Sequence, residues 1–149
     1  MKTIYLAGPL FSNAERQWNV KLRNHIEQVA GFKVLLPQEM CMGLNPANNG
    51  DEDALKLFRI CEKGVRDADI ILAVLDNADV DSGTAWEVGY ARGIGKKVIG
   101  VRTDFRLCEF YNVNIMLKFG VDEIVTDFSG NDAELFEKII LTLNKYLKA

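Results

Sequence analysis

Histidine is almost missing from this 149-residue chain; His25 is the only one. A metal site built from histidines is therefore excluded, and so is a Ser-His-Asp triad within one chain. His25 flanks the apolar face of its helix and reads as a packing or solvent-contact residue. Cysteine is scarce as well. Cys41, Cys61 and Cys108 are odd in number, far apart and without a C-x-x-C pair, so neither a disulfide framework nor a zinc site is expected. No apolar run approaches a membrane-spanning length. Basic residues are not in excess: 18 Lys and Arg stand against 21 Asp and Glu, a net charge of −3. That is not the footprint of a nucleic-acid binder. There is no G-x-G-x-x-G and no Walker loop, so a nicotinamide or ATP site lacks its usual signature. No cofactor and no metal are expected. The opening "MKTIYLAGPLF" could pass for a secretory leader. Its apolar run is broken at Gly8-Pro9, however, and "SNAERQWN" follows, so a buried strand in a cytoplasmic protein is the better reading. What remains for chemistry is carboxylates, hydroxyls, amides and thiols.

Nearly half of the chain is apolar, enough for one full-sized core spanning residues 1–149. "TIYLAG", Thr3 to Gly8, reads as a buried strand ending in a tight turn. Ser12 and Glu15 are spaced as a capping box, Trp18, Leu22, Ile26 and Val29 recur at helical spacing, and Gly31 suits the C-cap. "KVLLP" is a second strand stopped by Pro37. The stretch Gln38 to Gly50 reads as a long polar loop, of the kind that is often functional. A helix from Asp51 towards Asp67 precedes "DIILAVLD", which is apolar on both faces as a central parallel strand is. A glycine-rich helix, "KVIGVR", a short helix within "RLCEFYNVNIMLKFG", "DEIVTDF" and an amphipathic helix from Asp132 to Lys148 complete a βα alternation. This predicts an α/β fold: a five-stranded parallel sheet with helices on both faces, in the order 2-1-3-4-5. In such a sheet ligands bind beyond the carboxyl ends of the strands. The turn from Gly8 to Phe11, the loop from Gln38 to Gly50 and the loop from Asp76 to Ser82 fall there.

"DSGTAWEVGYARGIGKK" sets one carboxylate, Glu87, among residues with almost no side chain. Two readings of Glu87 compete. Thr84 and Glu87 have the spacing of a capping box, which would make Glu87 a structural residue. A carboxylate in the first turn of a helix would also stay ionised in the dipole field and could serve as a nucleophile. The Ala85, Gly89 and Gly93 stripe reads mainly as close packing of helix on sheet. Asp81 alone is a turn residue or a solvated charge, and with Asp76 and Asp79 forms an acidic loop. Tyr5 is either core or a phenol hydrogen-bonded to Glu87 across a site.

"IYLAGPLF", "ADIILAVLD" and "DSGTAWEVGYARGIGKKVIGV", in that order, resemble the nucleoside 2-deoxyribosyltransferases, from Lys2 to about Phe128. The D-x-G-T-x-x-E-x-G-x-A segment is the most specific part. The resemblance implies a flavodoxin-like sheet, with Glu87 as the nucleophile that attacks C1′ of a 2-deoxynucleoside and holds the sugar as an ester until a second base arrives. It implies that Tyr5 orients Glu87, that Asp81 binds a sugar hydroxyl, and that Asn114 in "NVNIMLKFG" reaches a neighbouring subunit's site in a homo-oligomer. Gly8, Phe11 and Gly83 fall beside the substrate, and Gln38 and Glu39 are candidates for the base edge. The partners implied are deoxynucleosides and free bases. One position departs from the family. Counting back eight residues from Asp69 lands on Cys61, where the family usually has an aspartate that helps protonate the departing base. Two other readings stay open: a hydrolase of 2′-deoxynucleoside 5′-monophosphates, and a non-catalytic nucleoside- or nucleotide-binding module.

Overall fold

In the computed structural model, which describes residues 1–109 and 111–147, the five strands are all parallel, in the order β2-β1-β3-β4-β5. They are β1 (Thr3–Ala7), β2 (Lys33–Leu35), β3 (Ile70–Val74), β4 (Lys97–Arg102) and β5 (Glu123–Thr126). The helices are α1 (Asn13–Ala30), α2 (Pro37–Met40), α3 (Pro46–Asn49), α4 (Asp51–Asp67), α5 (Ser82–Gly93), α6 (Ile115–Gly120) and α7 (Asp132–Leu147). Register is set by pairs such as Thr3 with Lys33, Ile4 with Ile70, Ile70 with Lys97 and Ile99 with Glu123. The expected fold and sheet order are found, and each expected helix is present. Lys148, expected at the end of the last helix, lies outside the described residues.

Local chemistry explains the boundaries. Ser12 and Glu15 form the expected capping box, and Gly31 ends α1 in the left-handed region at φ 68. His25 packs its ring against Phe136 of α7, 5.2 Å between centroids. The stretch from Gln38 to Gly50 departs from expectation, since it is not a plain loop. Pro37 both stops β2 and starts α2, and Pro46 starts α3 behind an Asn45 cap, because a proline at the first helical position gives up no hydrogen bond. The buried carboxylate of Asp53 accepts from Asn45 N at 2.9 Å and Asn49 Nδ2 at 2.7 Å, which pins α3 to α4.

Strand alternation divides the core in two. Ile4, Leu6, Ile70, Leu72, Val74, Ile99 and Val101 face α1 and α7, where they meet Leu22, Ile26, Phe136 and Ile139. Tyr5, Ala7, Ile71, Ala73 and Val98 face the other way, against Val65 of α4, Val88 and Ala91 of α5, and Leu117 of α6. The second layer is built of smaller residues, and it contains a phenol.

Candidate active site

The site is built between β1, α4 and α5, next to the point where the chain runs left from β1 to β2 and then right to β3, the usual ligand position in an open α/β sheet. Tyr5 lies in the middle of β1 with no exposed surface, and its side chain crosses beneath α4. Its hydroxyl donates to Glu87 Oε1 at 2.5 Å. The ring fits because α4 has no side chain at Gly64. A Cβ there would stand 2.6 Å from Tyr5 Cε2 and 2.9 Å from the methyl of Met40.

Glu87 is not a capping residue. Helix α5 starts three residues earlier than the Thr84 cap would place it, with Asp81 as N-cap. Asp81 Oδ2 accepts from Thr84 N at 2.8 Å and from Thr84 Oγ1 at 3.0 Å. Aspartate is among the best N-cap residues, and the Thr84 hydroxyl is itself buried and needs an acceptor. Glu87 therefore sits in the second turn, on the inner face. There the expectation of a freely ionised carboxylate also fails. Burial pushes its pKa up to about 7, with Asp81's charge adding to the rise and the Tyr5 hydrogen bond opposing it. The phenol is shifted upward by the same burial and by Glu87's charge, so it remains a donor. The result is a carboxylate divided between its acid and base forms near neutrality, held on one oxygen by a fixed donor.

Cys61 is one turn before Gly64 on the same face of α4. It lies close enough to the phenol for each to perturb the other's ionisation, and Glu87's charge also reaches its thiol. Burial raises its thiol pKa. The sulfur of Cys41, at the end of α2, stands 4.0 Å from that of Cys61. Two cysteines that looked unrelated in sequence are neighbours, and no sequence signal marked the pair. Gly64 was also missed; a glycine inside an amphipathic helix is the signal that could have found it.

The remaining candidates are distributed as follows. Gly8 packs tightly at the end of β1, where a Cβ would meet Val74 Cγ2 at 3.0 Å. Phe11 is exposed, and its N–H donates to Glu15 Oε2 at 2.9 Å. Gln38 is held at both ends, accepting from Asn19 Nδ2 at 3.1 Å and donating to the Arg16 carbonyl at 3.2 Å. Glu39 receives both guanidinium nitrogens of Arg23, at 3.0 and 3.1 Å, so its carboxylate is engaged with α1. Gly83 lies against Asp81, whose Oδ2 would be 3.1 Å from a Cβ. Asn114 caps α6 through Met116 N at 2.9 Å and donates to Glu109 at 3.0 Å. It borders a groove of about 520 Å³ between α5 and α6, with Val80, Ala85, Gly89 and Met116, which Glu87 does not line. Of the stripe, Ala85 packs against the core of this face, but the two glycines do not. A Cβ at Gly89 or Gly93 would meet nothing within 4 Å.

Among the described residues, no cluster of three or more His, Cys, Asp or Glu could hold a metal ion, and no helix is long and apolar enough to cross a membrane. A conserved protein from Enterococcus faecalis V583 superposes with a TM-score of 0.76 at 26% identity, covering 95% of this chain and 99% of that one. The 2-deoxyribosyltransferase from Bacillus psychrosaccharolyticus superposes with a TM-score of 0.71 at 25% identity, covering 89% and 95%. The CMP N-glycosidase of Clostridium botulinum, 17% identical with a TM-score of 0.62 over 93% and 98%, shares the fold. No curated protein matches by sequence. The sequence profile of the nucleoside 2-deoxyribosyltransferases, by contrast, matches residues 4–140, nearly the whole βα alternation from β1 into α7. On that match the chain belongs to the nucleoside 2-deoxyribosyltransferase family, a family of enzymes acting on N-glycosidic bonds.

Proposed function

We propose that the chain exchanges the base of 2′-deoxyribonucleosides through a covalent deoxyribosyl ester on Glu87. The observation that carries this is the buried Tyr5–Glu87 pair beside Asp81, at the ligand-binding edge of the sheet. Glu87 in its ionised form attacks C1′ with the oxygen left free by Tyr5. The bond to the base breaks, and its electron pair leaves with the base. A second base then attacks C1′ from the vacated side and releases Glu87, the two-step retaining logic of glycosidases with a base in place of water. Deoxyribose lacks the 2′-hydroxyl, so its oxocarbenium-like transition state is easier to reach, and one carboxylate in a dry site suffices. In this reading Asp81 binds a sugar hydroxyl with the oxygen not used in capping. In this reading Cys61, whose thiol burial keeps protonated at neutral pH, donates the proton to the departing base.

The surroundings of α1 favour nucleosides over nucleoside monophosphates. A helix N-terminus next to the site is the natural seat for a 5′-phosphate. Here Glu15 occupies it: its Oε2 accepts from Phe11 N at 2.9 Å and Ser12 N at 2.7 Å. The one nearby guanidinium, Arg16, is turned to the Leu10 carbonyl at 2.9 Å and the Phe11 carbonyl at 3.0 Å. We also propose that Asn114 serves a neighbouring copy's site in a homo-oligomer, with exposed Met116 and Phe119 of α6 at the contact.

Incubation with deoxyinosine, with and without adenine, tests the reading. Deoxyadenosine formed only with adenine is the expected result. Free deoxyribose without exchange would make the chain a hydrolase. No product with any deoxynucleoside would leave a binding module.

A further inference from the structure

We propose that Cys41 and Cys61 are an oxidative modification site: a hydroperoxide converts them to a reversible disulfide that turns down the neighbouring Tyr5–Glu87 site. The geometry carries the link. The sulfurs are 4.0 Å apart, both residues are partly exposed, and both are free thiols. A disulfide needs about 2.0 Å between sulfurs, so they must approach by about 2 Å. That is within reach because the two residues sit on elements of unequal rigidity. Cys61 is in the body of α4, whereas Cys41 ends the four-residue α2 and opens the turn leading to Asn45.

The step balances with the peroxide as the only co-reactant. The small thiolate fraction of one cysteine attacks the peroxide oxygen, giving a sulfenic acid and releasing, once protonated, an alcohol, or water from hydrogen peroxide. The second sulfur then displaces the sulfenic oxygen as water, closing the S–S bond. Two thiol hydrogens are lost and the peroxide is reduced. Burial keeps both thiols protonated, Cys41 with a pKa pushed up to about 12, so the link forms slowly and answers to sustained oxidant.

The consequence follows from position. Cys61 lies beside Tyr5 and Glu87, one turn from the Gly64 that gives the Tyr5 ring its place. The disulfide removes the protonated Cys61 thiol beside Tyr5 and Glu87 and draws α2, with Met40, onto the Tyr5 ring. The effect on turnover rests on the base-exchange reading above; the link itself does not.

The test treats the intact protein with hydrogen peroxide, alkylates the remaining thiols and maps the peptides. Expected are a mass lower by about 2 Da before alkylation, a linked peptide pair joining residues 41 and 61, and a single alkylated cysteine, Cys108. Base exchange should fall at least fivefold and return with dithiothreitol. The activity of Cys41→Ser should not respond to the same peroxide treatment. Three alkylated thiols after treatment, a link through Cys108, or an unchanged rate in the linked protein would each overturn the proposal. If the chain exchanges no base at all, the peptide map still decides the link, so the two ideas fail separately.

Discussion

The two faces of the sheet solve different problems. On the α1 and α7 face, the strands present Ile, Leu and Val to Leu22, Ile26, Phe136 and Ile139, all buried. That layer gains stability by removing large apolar area from water. On the α4 and α5 face the same strands present Ala7 and Ala73, and α4 contributes Gly64. Small residues make room there for a phenol and a carboxylate that a purely apolar layer would not contain. One face is built for burial alone. The other gives up some of that burial to hold an acid whose ionisation is raised to the neutral range. Strongly perturbed acids of this kind collect at functional sites.

The sharpest break in that comparison is Glu87→Gln. On the base-exchange reading Glu87 is the nucleophile, and its loss should lower base exchange by at least about a thousandfold. Stability should move the opposite way. Glu87's folded pKa, about 7, lies above the ordinary carboxylate value. Its protonated form is therefore favoured by folding. The resulting stability is fully present below the unfolded pKa and is lost as pH rises through about 7. Glutamine copies the protonated form at every pH. Melting temperatures of the two proteins should be close near pH 4 and diverge by about pH 8, with the variant higher. A constant difference across that range would mean that Glu87 is not buried as described.

The opposite face gives the control. Ile139→Ala removes a fully buried side chain that touches neither α4 nor α5 in its cluster. Denaturant unfolding should show a loss of about 2–5 kcal/mol. Activity per folded molecule and its pH dependence should stay as they are. A shifted pH profile would show that the two faces are coupled through the sheet.

Much of this was legible from the residues, and the failures have physical causes. The alternation, the sheet order and both caps of α1 depend on short-range rules, and these held. Glu87 stood out because glycine and alanine surround it, and Tyr5 because an apolar strand carried a hydroxyl. The start of α5 was misplaced because two good caps compete within four residues, and an aspartate with a buried threonine to satisfy wins over Thr84. The ionisation of Glu87 depends on what α4 and β1 bring over it, which no local pattern records. The Cys41–Cys61 proximity and the fit of Tyr5 under Gly64 are contacts between distant segments, invisible to spacing along the chain.

Glycine substitutions separate the faces more finely. Gly64→Ala forces a Cβ to within 2.6 Å of the Tyr5 ring, so the ring or α4 must move. Overpacking of this kind costs about 1–3 kcal/mol. A displaced phenol should also lower turnover roughly tenfold, since misplacement at a site is costly. Gly93→Ala meets nothing within 4 Å and should instead stabilise α5 by up to about 1 kcal/mol. Thermal melts and rates on both variants check this. Equal behaviour would sink the claim that Gly64 is fixed by packing and Gly93 is not.

The smallest expected effect is the most specific. Tyr5→Phe keeps the ring, and so keeps the packing against Gly64 and Met40. It removes only the hydroxyl that donates to Glu87 Oε1. That hydrogen bond favours the ionised carboxylate and opposes the effect of burial. Without it the Glu87 pKa must rise further. In the proposed reaction the nucleophile is the ionised form, so the acid limb of the kcat/KM profile should move to higher pH. At neutral pH the variant should be slower by a few-fold to about tenfold, and the deficit should shrink as pH rises and the carboxylate is recovered. A merely structural tyrosine would lower the rate equally at all pH values. A profile that drops without moving would therefore leave Tyr5 as a core residue, and would leave the neutral-range ionisation of Glu87 to burial and Asp81 alone.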